Sequence, residues 1–86
     1  MGKYDKLIDR ILRGTSDASI AFDELCGLLR HLGFDERIRG SHHMYQRADI
    51  AELINLQREG KQAKPYQVRQ VRAIMARYKL TDDPHA

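Results

Sequence analysis

The sequence predicts one α+β domain, in which three antiparallel strands pack on helices in the order α-α-β-β-β-α. Two observations predict this class. Apolar residues recur with the helical period of about 3.6 in the first third of the chain and again after Pro65, whereas between Phe34 and Gln57 they recur with the period of about 2 that is typical of half-buried strands. The 86 residues are enough for one hydrophobic core and too few for two domains.

The first two helices are predicted over residues 4–13 and 18–32. The first has one apolar stripe, formed by Leu7, Ile8, Ile11 and Leu12. In the second, acidic residues lie in the first turn, where the helix dipole favours them, and Gly33 follows the last apolar residue as a C-terminal cap. Cys26 lies on the apolar side of this helix and is expected in the core. Residues 1–80 are predicted to form the single domain, of which residues 1–17 are an additional N-terminal helix and turn, and residues 81–86 a polar tail.

The strands and the last helix follow from turn and cap residues. In the first strand, apolar and polar residues are expected to alternate from Phe34 onwards, and Gly40-Ser41 is expected to form a tight turn. The second strand is expected to start at His42, and the third is expected to cover residues 53–57. Pro65 suits the first turn of the last helix, where its missing N–H costs nothing. The buried stripe of that helix is expected to contain Val68, Val71, Ile74, Met75 and Tyr78. Tyr66 could stack on a nucleic-acid base or cap the core, and the core is favoured.

Composition excludes several classes of protein. No stretch approaches the roughly 20 apolar residues of a membrane span, and the first residues lack the apolar core of a signal peptide, so a cytoplasmic protein is expected. With one cysteine, no intrachain disulfide and no cysteine-based zinc site is expected. We predict no metal and no small-molecule cofactor.

Positive charge is concentrated near the C-terminus. The net charge is +3, yet residues 61–86 alone carry six Lys and Arg against two Asp, and all six cations lie between Lys61 and Lys79. Such a concentration indicates a phosphate-bearing partner. A solvated helix face in a mildly basic protein explains it equally well.

Two adjacent histidines follow the predicted turn. His42 and His43 must point to opposite faces of a strand, so they cannot chelate one metal together. If the aromatic Tyr45 faces the helices, His43 is inward and His42 is exposed; the opposite parity would bury Met44 with His42. An exposed histidine suits proton transfer near neutral pH, because the ordinary pKa of the side chain is about 6.5. The alternative is a surface histidine without a role.

A basic block surrounds the start of the last helix, from Lys61 to Gln70. Its cations can neutralise phosphates, and Gln67 and Gln70 can read polar edges of a ligand. The sequence contains no phosphate-binding loop of the Walker type, so nucleotide hydrolysis is not indicated.

Several of these segments together resemble the HicA family of toxins from bacterial type II toxin–antitoxin systems. The resemblance covers roughly residues 20–80 and is carried by Leu32-Gly33-Phe34, Arg37-x-x-Gly40-Ser41-His42-His43-x-Tyr45, Ile54-Asn55-Leu56-Gln57 and Ala63-Lys64-Pro65-Tyr66-Gln67-Val68-Arg69-Gln70-Val71. It implies a fold similar to the double-stranded RNA-binding domain. It also implies an mRNA interferase, an endoribonuclease that works without a metal in the bacterial cytoplasm and is neutralised by a HicB-type antitoxin.

The resemblance also implies site residues. The family's functional histidine follows the Gly-Ser turn, a position that His42 occupies. The expected RNA-binding residues are cations and polar residues of the same motifs and of the last helix: Arg37, Arg39, Ser41, Lys61, Lys64, Gln67, Arg69 and Arg72. The chain departs from the family in its longer N-terminal region and in a third strand that lacks the additional histidine of some members.

Two other functions fit the same residues. A non-catalytic RNA-binding module would use the same basic surface without cleavage, because double-stranded RNA is bound by shape and phosphate contacts. A pure interaction protein would present the basic helix to an acidic protein partner. A pH-dependent cleavage rate that requires His42 distinguishes the nuclease from both.

Overall fold

The computed structural model describes residues 2–80, and its elements follow the predicted order α-α-β-β-β-α. The helices are α1 (Asp5–Arg13), α2 (Phe22–His31) and α3 (Pro65–Tyr78), and the strands are β1 (Asp35–Arg39), β2 (His42–Gln46) and β3 (Ile54–Gln57). A short 3-10 turn, Asp17–Ser19, lies between α1 and α2. The predicted α+β class is therefore confirmed, whereas the predicted polar tail of residues 81–86 lies outside the described residues.

The predicted start of the second helix at residue 18 is wrong. The 3-10 turn ends at Ser19 and α2 begins only at Phe22. The backbone groups between them bond to the segment before α3: the Ile20 carbonyl accepts the N–H of Ala63 at 2.8 Å, and the N–H of Phe22 donates to the carbonyl of Lys61 at 2.8 Å. Because these groups are used in a tertiary pairing, they are not available for a helix.

The end of α2 agrees with the prediction. Leu32 is the C-cap and Gly33 follows with φ of 91°, in the left-handed region that glycine adopts without steric cost. The N–H of Phe34 then bonds to the carbonyl of Leu29 at 3.1 Å. This closure reverses the chain and directs it into β1.

The sheet has the order β1-β2-β3, and both pairs are antiparallel. The β1–β2 hairpin turns at Gly40 and Ser41, as predicted, and Gly40 has φ of 58°. Strand β3 starts at Ile54, because Leu53 precedes the first paired residue and is half exposed. The tight turn at Gly40 and Ser41 therefore places the last residue of β1, Arg39, beside the first residue of β2, His42.

The core lies between one face of the sheet and the helices. Tyr45, Ile54 and Leu56 from the sheet are fully buried, together with apolar residues of all three helices. The apolar stripe of α3 is confirmed, with Tyr78 partly buried against the core. Cys26 is buried, as predicted. We call this side of the sheet the inner face and the opposite side the outer face.

Leu12 and Tyr66 were expected to contribute to the core, but both are exposed. Leu12 is exposed at the margin of the α1 stripe. The expectation of a buried Tyr66 is wrong, since its side chain is 55% exposed. The buried positions of α3 begin with Gln67 and Val68, and a residue one or two positions earlier is rotated by about 100–200° on the helix. Within residues 2–80, none of the helices has the length and hydrophobicity needed to cross a membrane.

Candidate functional site

The first candidate site is the outer face of the sheet around His42. His42 is exposed at the start of β2, whereas His43 and Tyr45 are buried on the inner face, so the predicted parity of this strand is confirmed. In the sheet register, His42 lies opposite Arg39 of β1 and opposite Gln57 of β3. Cβ atoms of directly opposed residues are about 4.5–5.5 Å apart, so His42 has an arginine as its neighbour on one side and a glutamine as its neighbour on the other.

A second cation lies on the same face. Arg37 pairs with Met44 in the register and is therefore the diagonal neighbour of His42. The backbones of such diagonal neighbours are about 7–8 Å apart. Met44 is partly buried, and the exposed Arg37 borders a shallow groove of about 370 Å³. The groove is lined by Asp35, Glu36, Arg37, Met44, Gln46 and Leu53. The outer face thus offers a histidine, two guanidiniums and an adjacent groove.

The tip of the hairpin is tied to the loop after β3. The carbonyl of Ser41 accepts the N–H of Arg58 at 2.8 Å, which keeps the turn beside the first residue of that loop. The Arg58 guanidinium forms an ion pair with Asp23 and lies 4.6 Å from the centre of the Phe22 ring. The backbone around His42 is therefore held by contacts to both β3 and the start of α2.

Two predicted phosphate-binding lysines lie on the segment that continues from Arg58. Lys61 is exposed, and its carbonyl is bonded to the first residue of α2. Lys64 is partly exposed and is the N-cap residue of α3. The structure thus brings Arg37, Arg39, Ser41 and His42 together on one hairpin, and the lysines lie on the loop after β3, which is bonded to the hairpin tip through Arg58.

The prediction that Gln67 contacts RNA is wrong, because its side chain is only 1% exposed. Its Nε2 donates to the carbonyl of Gln57 at 3.1 Å, and its Oε1 accepts the N–H of Lys64 at 3.1 Å. The amide therefore connects the end of β3 to the start of α3. Gln67 positions the backbone beside His42 and does not present a group to a ligand.

Arg72 is also used within the fold. Its Nη1 donates to the Asp17 carboxylate at 2.8 Å and to the carbonyl of Ile11 at 3.3 Å, and both charged side chains are mostly buried. It thereby joins α3 to α1 and to the 3-10 turn. Arg69 is exposed on the same helix and is not among the residues that the register places around His42.

We expect Arg72→Met to lower the free energy of unfolding by about 1–3 kcal/mol, because it leaves the Asp17 carboxylate without its charged partner. Urea unfolding measures this change, and the matched variant Arg69→Met should remain within about 0.5 kcal/mol of the wild type. If Arg72→Met weakened RNA binding and left stability unchanged, the structural role would be contradicted.

A second cluster of polar groups lies on the inner face. Side-chain ligand atoms of Cys26, Glu36 and His43 all lie within 4.8 Å of one another. The Tyr45 hydroxyl donates to Glu36 Oε2 at 2.5 Å and Arg30 donates to the same oxygen at 2.7 Å, and these bonds lower the pKa of Glu36. Burial raises the pKa of the Cys26 thiol and is also the main cause of the raised pKa of Tyr45.

Sequence reasoning did not identify Gln57, Arg58 or this inner cluster. Gln57 had a usable signal, because it alternates with the apolar Leu56 in a strand and must face outward. Strand parity likewise placed Glu36 on one face with Phe34, and His43 with Tyr45. Cys26 lies close to Glu36 and His43 because of the way α2 packs on the sheet, and no local sequence pattern predicts that packing.

Comparisons with protein-family models, with curated proteins and with solved structures found no match to this chain.

Proposed function

We propose that this chain is the toxin of a bacterial type II toxin–antitoxin system, an endoribonuclease of the HicA kind that cleaves mRNA in the cytoplasm without a metal in the reaction. The observation that carries the proposal is the exposed His42 directly opposite Arg39 on the outer face. A group that moves protons and a cation that binds phosphate are the two requirements of RNA cleavage by the neighbouring hydroxyl. The motif resemblance supports the same assignment.

In the proposed reaction, the 2′ oxygen of a ribose attacks the adjacent phosphorus. The bond between O2′ and phosphorus forms while the bond between phosphorus and O5′ breaks, which leaves a 2′,3′-cyclic phosphate and a free 5′ hydroxyl. The 2′ proton leaves to a base, and the departing 5′ oxygen takes up a proton. Neutral His42 can accept the first proton, and protonated His42 can supply the second, with water as the other partner.

The cations around His42 stabilise the charge that develops on the phosphoryl oxygens. Arg39 lies directly opposite His42 on the neighbouring strand, and Arg37 is the diagonal neighbour of His42, so both guanidiniums can bind the oxygens of one phosphate. The groove beside Arg37 offers the apolar Met44 and Leu53 to the face of a base. Lys61 and Lys64 extend the cationic surface towards α3 and bind flanking phosphates.

A HicB-type antitoxin is proposed as the protein partner. The half-exposed Leu53 lies in the groove on the outer face, beside the cationic residues that would contact RNA. A partner that covers this face with acidic and apolar groups would exclude RNA and neutralise the toxin.

The test is cleavage of a long single-stranded RNA by the purified chain in excess EDTA. We expect new 5′ ends that accept label from a polynucleotide kinase without prior phosphatase treatment, since the reaction leaves 5′ hydroxyls. Arg39→Gln should slow cleavage by about tenfold or more, because one electrostatic stabiliser can contribute about 10²–10³-fold. Arg13→Gln, which makes the same change at an exposed arginine of α1, is the matched control and should cleave like the wild type.

Two outcomes would overturn the nuclease assignment. If neither protein cleaves and both bind RNA with a steep salt dependence, the chain is a non-catalytic RNA-binding module, and Arg39→Gln should reduce the salt slope by about 0.7–0.9. If RNA binding is negligible at physiological salt, the basic surface serves a protein partner.

A further inference from the structure

The inner-face cluster brings together one metal-ligating side chain from each of three elements. Cys26 belongs to α2, Glu36 to β1 and His43 to β2, and their ligand atoms lie within 4.8 Å of one another. Thiolate, imidazole and carboxylate are the three side-chain ligands that zinc prefers in proteins. Magnesium and calcium prefer all-oxygen sites, so the donor set selects a softer ion.

We propose that Cys26, Glu36 and His43 bind one Zn²⁺ ion beneath the sheet. On binding, the Cys26 thiol releases its proton and coordinates as a thiolate, with one carboxylate oxygen of Glu36 and one ring nitrogen of His43. Water completes the tetrahedral shell. The two negative side chains balance the charge of the ion.

The spacing suits a metal of this size. Ligand distances of about 2.0–2.3 Å place two ligands of a tetrahedral zinc roughly 3.3–3.6 Å apart. The three atoms therefore need to approach one another by at most about 1.5 Å, which side-chain rotation supplies. The side chains already point into the same space from three directions.

His43 supplies an independent observation. The residue is only 8% exposed, and among residues 2–80 its buried Nδ1 has no hydrogen-bond partner. Buried polar nitrogens are nearly always satisfied, so an orphaned imidazole nitrogen beside a thiol and a carboxylate indicates a missing partner. The Phe22 ring meets the imidazole edge-on, with ring centres 5.0 Å apart, and restricts its orientation.

The remaining contacts of Glu36 are those expected around a metal ligand. Tyr45 and Arg30 both donate to Oε2, which holds the carboxylate in place, and among residues 2–80 no side chain donates a hydrogen bond to Oε1. Ligating carboxylates are commonly oriented by such outer hydrogen bonds. Tyr45 is fully buried, so the packing of the core keeps its hydroxyl beside Glu36.

The proposed site shares Glu36 with the lining of the groove beside Arg37, but it does not depend on the proposed nuclease activity. His42 and His43 lie on opposite faces of β2, so the ion cannot contact RNA bound at His42. A zinc ion there would join α2 to the β1–β2 hairpin and stabilise the strand that carries His42. The single cysteine led to the expectation of no cysteine-based zinc site and no metal, and the proposed site departs from that expectation because a histidine and a carboxylate from two strands complete the ligand set.

Titration of the metal-depleted chain with Co²⁺ tests the site directly. We expect one cobalt per chain, with visible bands of tetrahedral intensity and a near-ultraviolet charge-transfer band from the cysteine sulfur. Added Zn²⁺ should displace the cobalt and raise the melting temperature. Cys26→Ala should abolish the sulfur band, and Glu36→Gln should weaken binding at least tenfold.

His42→Ala is the control for adventitious binding at exposed histidines and should retain the full cobalt spectrum. If the wild-type chain shows no sulfur band and no change in melting temperature with Zn²⁺, the proposal is wrong, whether or not the variants fold. A spectrum that survives in Cys26→Ala and disappears in His42→Ala would place the ion on the surface and also overturn it. RNA cleavage in EDTA reports on the nuclease separately.

Discussion

His42→Ala is expected to reduce the rate of RNA cleavage by about 10²–10⁴-fold, the contribution that a positioned proton-transfer group typically makes. The imidazole is exposed and lies across from Arg39, so its removal takes away the proposed proton-transfer group and leaves the cation in place. Because the side chain contributes nothing to the buried core, the free energy of unfolding should change by no more than about 0.5 kcal/mol.

The measurement is single-turnover cleavage of one RNA in EDTA across a range of pH, for the wild type, His42→Ala and the control Arg13→Gln. The pH dependence of the wild-type cleavage rate should be lost in His42→Ala and unchanged in Arg13→Gln. RNA affinity should be similar in all three, since the phosphate-binding cations are retained. Undiminished cleavage by a well-folded His42→Ala would remove His42 from the mechanism.

Much of the outer face follows from local pattern. Tyr45 is the large aromatic of β2, and its burial sets His42 outward by strand parity. The two-residue turn at Gly40 and Ser41 then pairs Arg39 with His42, because a hairpin turn determines the register of the strands that it joins. The sequence therefore contained the pair that the proposed chemistry uses.

The third strand shows where local pattern ends. Gln57 lies opposite His42 only because of the register between β2 and β3, which are joined by the loop from Arg47 to Leu53. A loop of that length is compatible with several registers. The same holds for the start of α2. The first turn predicted for this helix, from residue 18, is replaced by backbone pairing of Ala21 with Gln62, about forty residues later in the chain. Contacts between distant segments decide both features, and no helical or strand period encodes them.

Arg72 and Gln67 illustrate a related limit. Both are polar residues on a helix whose sequence is rich in cations, and composition assigns them to a solvated, ligand-binding surface. Burial and internal partners instead make them structural, because each satisfies backbone or charged groups of another element. A polar residue on an amphipathic helix can join elements as well as meet a ligand, and only the packing distinguishes the two.

Gln67→Met is expected to lower the free energy of unfolding by about 1–3 kcal/mol, which corresponds to a fall in melting temperature of roughly 4–8 °C for each kcal/mol in a domain of this size. Methionine keeps most of the volume of the fully buried side chain and removes both hydrogen bonds. The carbonyl of Gln57 and the N–H of Lys64 then lose their partner without regaining water.

Gln70→Met is the matched control, since the same change on the exposed side of α3 removes no internal hydrogen bond and should leave stability within about 0.5 kcal/mol. Thermal and urea unfolding measure both variants, and RNA binding at low temperature, where both remain folded, measures any direct contact. A Gln67→Met chain of unchanged stability and reduced RNA affinity would restore Gln67 to the RNA-binding surface. The expected result, lower stability with RNA affinity retained at low temperature, would instead show that the loop beside His42 depends on a buried amide that never meets the RNA.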